Sequence, residues 1–334
     1  MKTAAYLWEC AQKRRAFPIL SFPAVQEMGI TVRELTQSSE HMAKAMQIVA
    51  CKTPSAAAVS LMDLSVEAEA FGATVRFSDD EVPSILGQLI ANEEDAQSLK
   101  LPAVGAGRTS VCIEAVRRAK ECIHDRPVLA GCIGPFSLAG RLMDVTEIMY
   151  QCYDDPETVH LVLEKAAAFL TEYCSALQNA GADGVIMAEP LAGLLSAAMN
   201  TEFSCPYVRR IIEAVQTEHF AVVYHNCGNT VTSLLPDLFS LGAAAYHFGN
   251  AVSMREVLSE APSTVLCMGN IDPASQFASG TVESMRQAVT HLFSECGSAP
   301  NFMLSSGCDI PPHANWENID AFFKAAESYH SSNK

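Results

Sequence analysis

The sequence predicts an α/β fold, specifically a (β/α)8 TIM barrel with an N-terminal helical cap. Helical segments alternate with short apolar runs rich in β-branched residues, and each run ends in Gly, Pro, Asn or a polar residue. Continuous apolar strands of this kind indicate a parallel sheet with both faces covered. Up to eight runs occur, and no G-x-G-x-x-G motif follows the first one. A closed barrel is therefore favoured over an open dinucleotide-binding sheet.

The N-terminal 52 residues are predicted to form the helical cap. Residues from about 1 to 16 and from about 24 to 52 look helical, and the stretch from Thr31 to Leu35 resembles a helix start. Between the two helical parts, Ile19–Phe22 is counted as the first strand. We expect one domain over residues 1–334 rather than a separate N-terminal unit.

The clearest helix–strand unit begins at Asp154-Asp155-Pro156-Glu157, where Asp can cap a helix and Pro suits its first turn. Gly181 is expected to end this helix. A buried strand follows at Gly184–Ala188 and stops at Glu189-Pro190. The other predicted strands are Ala57–Met62, Val128–Gly131, Phe220–Tyr224, Ala243–Phe248, Thr264–Met268 and Phe302–Ser305.

Composition excludes several classes of protein. The chain has 38 acidic and 22 basic residues, a net charge of −16, which disfavours nucleic-acid binding. No stretch is predicted to span a membrane. Lys13, Arg14 and Arg15 stand where a signal peptide would have its apolar core. Twelve Cys without a C-x-x-C pair do not resemble a secreted disulfide framework, so we expect a cytoplasmic protein.

The active site of a barrel forms at the carboxyl ends of its strands. The residues at the predicted strand ends include metal ligands and acid/base groups. They are Asp63, Cys132, Glu189, His225, Cys227, Asn250, Asp272 and Cys308.

The strongest local pattern is His225-Asn226-Cys227-Gly228. Residues i and i+2 of an extended strand point to the same side, so an imidazole and a thiolate can reach one ion. Zinc takes N and S ligands in tetrahedral geometry. A third ligand must come from another loop, and Cys308 is the best candidate. The alternative is that both Cys are ordinary buried residues and that His225 is a core histidine.

The other polar residues at strand ends have structural alternatives. Glu189 is predicted to be a fourth ligand or an acid/base group, the alternative being an ion pair with Lys or Arg. Asp63 is predicted to be catalytic, the alternative being a cap on the next helix. His247 and His313 are more often structural than catalytic in such positions.

The motifs together resemble the uroporphyrinogen decarboxylase superfamily, and within it the branch of corrinoid-dependent methyltransferases. The resemblance covers nearly the whole chain. The segments that carry it are 134–140 (GPFSLAG), 183–190, 225–228 (HNCG), 269–273 (GNIDP) and 307–312 (GCDIPP).

Two differences from the decarboxylases select the methyltransferase branch. Decarboxylases resemble one another in an Arg-rich N-terminal stretch that holds substrate carboxylates, whereas Leu20 to Gly29 contains no Arg. They also tend to carry His where this chain has Cys308. Asp63 does match the position of their key Asp. The methyltransferase branch is similar in its HxC and distant GC motifs, so the resemblance implies that His225, Cys227 and Cys308 hold zinc.

The resemblance further implies methyl transfer between a corrinoid, carried by a partner protein, and a small thiol such as coenzyme M. The opposite direction, from a small methyl donor to the corrinoid, stays open. Asn250, Asn270 and Asp272 are the predicted cofactor-binding residues, although Asp272 also suits a helix-capping turn. The alternatives are a tetrapyrrole decarboxylase and a non-catalytic corrinoid or metal carrier.

Overall fold

A parallel seven-stranded sheet forms the centre of the molecule in the computed structural model, which describes residues 1–332. Its order is β1-β4-β5-β6-β7-β8-β9, and β2 and β3 form a separate antiparallel pair. The strands are β1 Ala58–Val59, β2 Thr74–Arg76, β3 Ser84–Leu86, β4 Val128–Ile133, β5 Gly184–Ala188, β6 Ala221–Asn226, β7 Ala245–Phe248, β8 Leu266–Ile271 and β9 Phe302–Ser306.

Helices connect successive strands and cover the outside of the sheet. They are α1 Thr3–Gln12, α2 Ala24–Met28, α3 Val32–Thr36, α4 Ser39–Lys52, α5 Val66–Ala70, α6 Glu93–Ser98, α7 Thr109–Cys122, α8 Pro135–Met143, α9 Val145–Asp154, α10 Pro156–Asn179, α11 Ala197–Phe203, α12 Cys205–Val215, α13 Leu235–Phe239, α14 Met254–Glu260, α15 Val282–Cys296 and α16 Trp316–Ser332. Short helical turns cover Leu191–Leu194, Val231–Leu234 and Pro273–Ala278. Within residues 1–332, no helix has the length and apolar character needed to cross a membrane.

The parallel α/β class is confirmed, but a complete eight-stranded barrel is not. The predicted strand at Ile19–Phe22 is wrong, since these residues form no regular strand. Pro18 and Pro23 flank the segment and lack the N–H groups that a ladder requires. The Ile19 N–H instead donates to the Ser306 hydroxyl at 3.0 Å.

This irregular segment nevertheless lies between the two outer strands of the sheet. The Phe17 N–H donates to the Leu304 carbonyl in β9 at 2.9 Å, and the Ala56 N–H, just before β1, donates to the Ala16 carbonyl at 2.9 Å. The sheet is therefore curled, with its first and last strands on either side of one connecting segment.

A single N-terminal cap is not confirmed, because the helices of residues 1–52 lie in different places. Thr3 at the start of α1 donates from its N–H and its hydroxyl to carbonyls just before β6, so α1 covers the amino ends of the strands. Helix α4 instead packs on α7 in the outer layer. The helix start predicted at Thr31 is confirmed: Thr31 and Glu34 cap α3 reciprocally.

The curled sheet separates two apolar clusters. The inner one joins α1 to strand residues that include Leu129, Ile186 and Val223. The outer one packs the opposite strand faces, including Val185 and Val222, against the helices. Successive residues of each strand therefore belong to different compartments.

The helix predicted to begin near Asp154 is confirmed as α10. The Asp155 carboxylate accepts hydrogen bonds from the Thr158 N–H at 3.2 Å and from the Thr158 hydroxyl at 2.7 Å. Gly181 follows the helix with φ +103°, a conformation that favours glycine.

We expect Asp155→Ala to lower the free energy of unfolding by about 1 kcal/mol, because the first turn of α10 loses its cap. Urea denaturation measures the change. Asp154→Ala is the control, since the neighbouring Asp154 is exposed, and should alter stability by less than about 0.5 kcal/mol. Equal losses in the two variants would contradict the capping role.

Candidate metal centre

The structure brings together the three residues that the sequence predicts as metal ligands. One ligand atom each from His225, Cys227 and Cys308 lies within 4.8 Å of the other two. His225 belongs to β6, Cys227 follows that strand, and Cys308 follows β9. The Cys308 Sγ lies 3.5 Å from the His225 Nε2. Two segments 83 residues apart in the chain thus meet at the carboxyl end of the sheet.

The turn after β6 is held by the side chain of Asn226. Its Oδ1 accepts a hydrogen bond from the Gly228 N–H at 2.9 Å, and its amide donates to the Tyr224 hydroxyl at 3.2 Å. A Cβ on Gly228 would lie 2.6 Å from the backbone of Gly193. The H-N-C-G motif therefore combines two candidate metal-ligand side chains with an asparagine that holds the turn by hydrogen bonds and a glycine that close packing requires.

The two thiols are coupled electrostatically. A hydrogen bond from Cys308 holds the pKa of the Cys227 thiol below its ordinary value, although burial opposes this. The same contact, together with burial, raises the pKa of Cys308 to about 12. In the protein without metal, the pair thus favours one thiol and one thiolate over two thiolates.

A buried series of hydrogen bonds runs from His225 through His247 to Ser305, and sequence reasoning did not identify it. His247 is paired with His225 in the register of β6 and β7, and their Nδ1 atoms are 2.8 Å apart. The His247 Nε2 is 2.7 Å from the Ser305 Oγ. Burial, reinforced by His225, holds the pKa of His247 well below its ordinary value. Its place at the same level of the adjacent strand is the signal that could have revealed it.

Glu189 is not a member of the three-residue cluster. Its carboxylate is fully buried and accepts hydrogen bonds from the Phe136 N–H at 3.0 Å and the Ser137 N–H at 2.6 Å, at the start of α8. Burial raises its pKa to about 7, although these hydrogen bonds oppose the shift. A Cβ on Gly134 would lie 2.5 Å from this carboxyl group. These contacts explain why the Gly134–Ser137 segment and Glu189 occur together, and they do not support a fourth-ligand role.

Asp63 lies in a separate buried network. Its carboxylate accepts hydrogen bonds from the Ser65 N–H at 3.0 Å and the Ser65 hydroxyl at 2.6 Å, and it forms an ion pair with Arg108. Arg108 also pairs with Glu69 at 2.6 Å. The carboxylate is therefore already neutralised by a buried guanidinium, a partner that sequence reasoning did not identify.

The three predicted cofactor-binding residues differ in their surroundings. Asn250 is exposed and lies close to Gly307. A Cβ built on Gly307 would be 2.8 Å from the Asn250 Oδ1. The Asn270 amide donates to the carbonyls of Gly249 and Val252 at 2.9 and 2.7 Å. Asp272 caps the helical turn at Pro273–Ala278. Asn250 therefore borders the cluster of His225, Cys227 and Cys308, whereas the side chains of Asn270 and Asp272 make local structural contacts.

Comparisons with known proteins give relatives of two kinds. Methylcobamide:CoM methyltransferase MtbA from Methanosarcina acetivorans is 26% identical over 271 residues, which cover 80% of this chain and 78% of that protein. Uroporphyrinogen decarboxylase from Neisseria meningitidis serogroup C is 26% identical over 290 residues, 82% of this chain and 80% of that protein.

Solved structures show the same fold. A methyltransferase from Methanosarcina mazei superimposes with a TM-score of 0.86 at 22% identity, over 96% of this chain and 97% of the other. A B12-independent methionine synthase from Shewanella is more distant, with a TM-score of 0.62 at 13% identity, over 95% of each chain. The family model described as uroporphyrinogen decarboxylase (URO-D) matches residues 14–329. The chain therefore belongs to the uroporphyrinogen decarboxylase family.

Proposed function

We propose that the protein is a zinc-dependent methyltransferase that moves a methyl group between a corrinoid, carried by a partner protein, and a small thiol. The observation that carries the proposal is the convergence of His225, Cys227 and Cys308 at the carboxyl end of the sheet. The resemblance to methylcobamide:CoM methyltransferases supports it. The cytoplasm is the proposed setting, since all twelve Cys are free thiols.

The three residues fit zinc by their chemistry. One imidazole nitrogen and two sulfurs form a donor set that suits a borderline metal. Ligand atoms around a tetrahedral zinc are separated by roughly 3.3–3.8 Å, given bonds of about 2.0–2.3 Å. The Cys308 Sγ and the His225 Nε2, at 3.5 Å, already satisfy that spacing. Three protein ligands leave a fourth position for a substrate, as in other catalytic zinc sites.

Each residue at the site would have a distinct part in the proposed reaction. Cys227 and Cys308 would hold the metal as thiolates, and His225 would hold it through Nε2. Zinc, when bound, supplies Lewis acidity that deprotonates a coordinated thiol at neutral pH and makes it nucleophilic. Asn250, exposed beside Gly307, borders the approach to the cluster. We propose this face as the one that meets the corrinoid.

The family membership also allows a decarboxylase, but the surroundings of Asp63 disfavour it. A porphyrinogen carries several carboxylates, whose binding requires cationic side chains that are free to pair. Arg108 is already engaged by Asp63 and Glu69, and Leu20 to Gly29 contains no Arg, which leaves Arg141 near Asp63 as one cation for several carboxylates.

The proposed activity predicts methyl transfer from methylcobalamin to one or more small thiols. The zinc-loaded protein is incubated with methylcobalamin and a panel of thiols, and mass spectrometry measures the thioether. Cys308→Ala is expected to remove the activity. Uroporphyrinogen, tested in parallel, should not be decarboxylated. Decarboxylation at enzyme-like rates, without methyl transfer to any thiol, would overturn the assignment.

The proposed ligand set predicts a single zinc ion per chain. We expect Cys227→Ala and Cys308→Ala to lose most of the zinc and yet keep the fold, because these residues lie at the sheet's end and outside its apolar clusters. Elemental analysis of protein purified without chelator measures the content. Cys51→Ala, at an exposed position, is the matched control and should retain zinc. Full retention in both ligand variants would show that the ligands are misassigned.

The ligand and acid/base roles predicted for Glu189 stay untested, and its contacts support a third role, anchoring α8. If anchoring is correct, Glu189→Gln should leave zinc content unchanged. It should lower the free energy of unfolding by about 1–3 kcal/mol, because a Gln amide group would face one of two buried N–H donors. Elemental analysis and urea denaturation measure the two effects, with the exposed Glu172→Gln as control. Zinc loss from a variant of unchanged stability would instead favour the ligand role.

A further inference from the structure

We propose that His247 and Ser305 are positioning residues that fix the ring tautomer of His225, so that its Nε2 presents a lone pair to the two cysteines. The inference rests on the proposed zinc site and concerns what prepares that site before a metal arrives. The three side chains form an unbroken hydrogen-bonded chain inside the curled sheet. Which atom donates and which accepts in each hydrogen bond is determined by Ser305, at the end of the chain most remote from the cysteines.

Ser305 determines the direction of the chain. Its Oγ is 2.6 Å from the Phe17 carbonyl oxygen and 2.7 Å from the His247 Nε2. A carbonyl oxygen only accepts, so the single hydroxyl proton of Ser305 is donated to Phe17. The Ser305 oxygen must then accept from His247, which places a proton on the His247 Nε2.

His247 transmits this constraint. Its ring is 1% exposed and contacts Ser305 on one side and His225 on the other. A neutral imidazole with a proton on Nε2 has a lone pair on Nδ1. The two Nδ1 atoms of His225 and His247 are 2.8 Å apart, a distance that requires one proton between them. That proton must therefore belong to His225.

A second acceptor leads to the same assignment. The His225 Nδ1 is also 3.3 Å from the carbonyl oxygen of His247, which cannot donate. With its proton on Nδ1, the neutral His225 ring has its lone pair on Nε2. This is the atom that faces the Cys308 Sγ at 3.5 Å. In the metal-free protein this lone pair lies beside the Cys308 sulfur, and the same lone pair would bind zinc.

The opposite chain direction would block the site. If the His247 proton were on Nδ1, it would be donated to His225 and drive the proton of His225 onto Nε2. An N–H group would then point at the cysteines, and metal binding would first require a proton shift in both buried rings. Residues that orient a ligating histidine typically contribute 10–100-fold to metal affinity. His247 and Ser305 are expected to act at that scale.

The tautomer itself can be observed without metal. Long-range ¹H–¹⁵N NMR of the metal-free, ¹⁵N-labelled protein distinguishes protonated from unprotonated ring nitrogens of the nine histidines. We expect His225 to be protonated at Nδ1 and His247 at Nε2, with the pair recognised by the coupling across their shared proton. A His225 ring protonated at Nε2 would overturn the proposal, and this test on the unaltered chain needs no variant to fold.

Zinc affinity provides the second measurement, by competition with a chromophoric chelator. Ser305→Ala removes the acceptor for the His247 Nε2–H and should weaken zinc binding by about ten-fold or more. Ser306→Ala is the matched control: it is equally buried in the same strand, its hydroxyl accepts from the Ile19 N–H, and its contact with His247 is made by the backbone, which the substitution keeps. Equal zinc affinity in the two variants would overturn the proposal.

Neither measurement depends on methyl transfer. A failure of the tautomer proposal can therefore be distinguished from a failure of the proposed function. A chain that binds zinc with the expected tautomers but transfers no methyl group would contradict only the function. Methyl transfer with a His225 protonated at Nε2 in the metal-free protein would contradict only the tautomer proposal.

Discussion

The alternation of side chains along parallel strands is the constraint on which the site depends. Neighbouring residues of a buried strand enter different compartments, one inside the curl and one beneath the helices. In β6 this rule puts Val223 in the inner cluster and directs His225, two residues later, to the same side. In β5, Ile186 and Ala188 belong to the inner cluster, so Glu189 is directed to the helical layer. A shift of one residue in β6 would replace the donor imidazole with the Asn226 amide or the Tyr224 phenol, and a shift of one residue in β5 would turn Glu189 towards the inside of the curl.

Burial then requires every polar group in these compartments to find a partner. Beneath the helices, the Glu189 carboxylate meets the two N–H groups at the start of α8, where the helix dipole also favours a negative charge. Inside the curl, His225 and His247 satisfy each other and reach a backbone carbonyl through Ser305. The same demand pairs Glu189 with the start of α8 on one face of the sheet and joins the two histidine rings on the other.

Much of this organisation could be predicted from local patterns. Seven of the strands, the cap of α10 and the convergence of the H-x-C motif with Cys308 follow from apolar runs, capping residues and donor chemistry. The errors arose where tertiary contacts decide. The apolar run at Ile19–Phe22 resembles a strand, but its flanking prolines and the Ser306 hydroxyl determine its hydrogen bonds. The partners of Asp63 and His247 come from distant segments, and strand-end position alone did not reveal that the Glu189 carboxylate meets the N–H groups at the start of α8.

Helix α1 has a kinetic consequence for the proposed reaction. It covers the amino ends of the strands, and its apolar side chains merge with the inner cluster, so the interior is closed on that side. Both reactants must then use the same entrance, at the carboxyl ends. In the proposed reaction, a corrinoid on its carrier protein would be far larger than a thiol and would cover that entrance on docking. A thiol acceptor would then have to enter first, and its methylated product would leave only after the carrier, so the proposed function carries a compulsory order of binding and release.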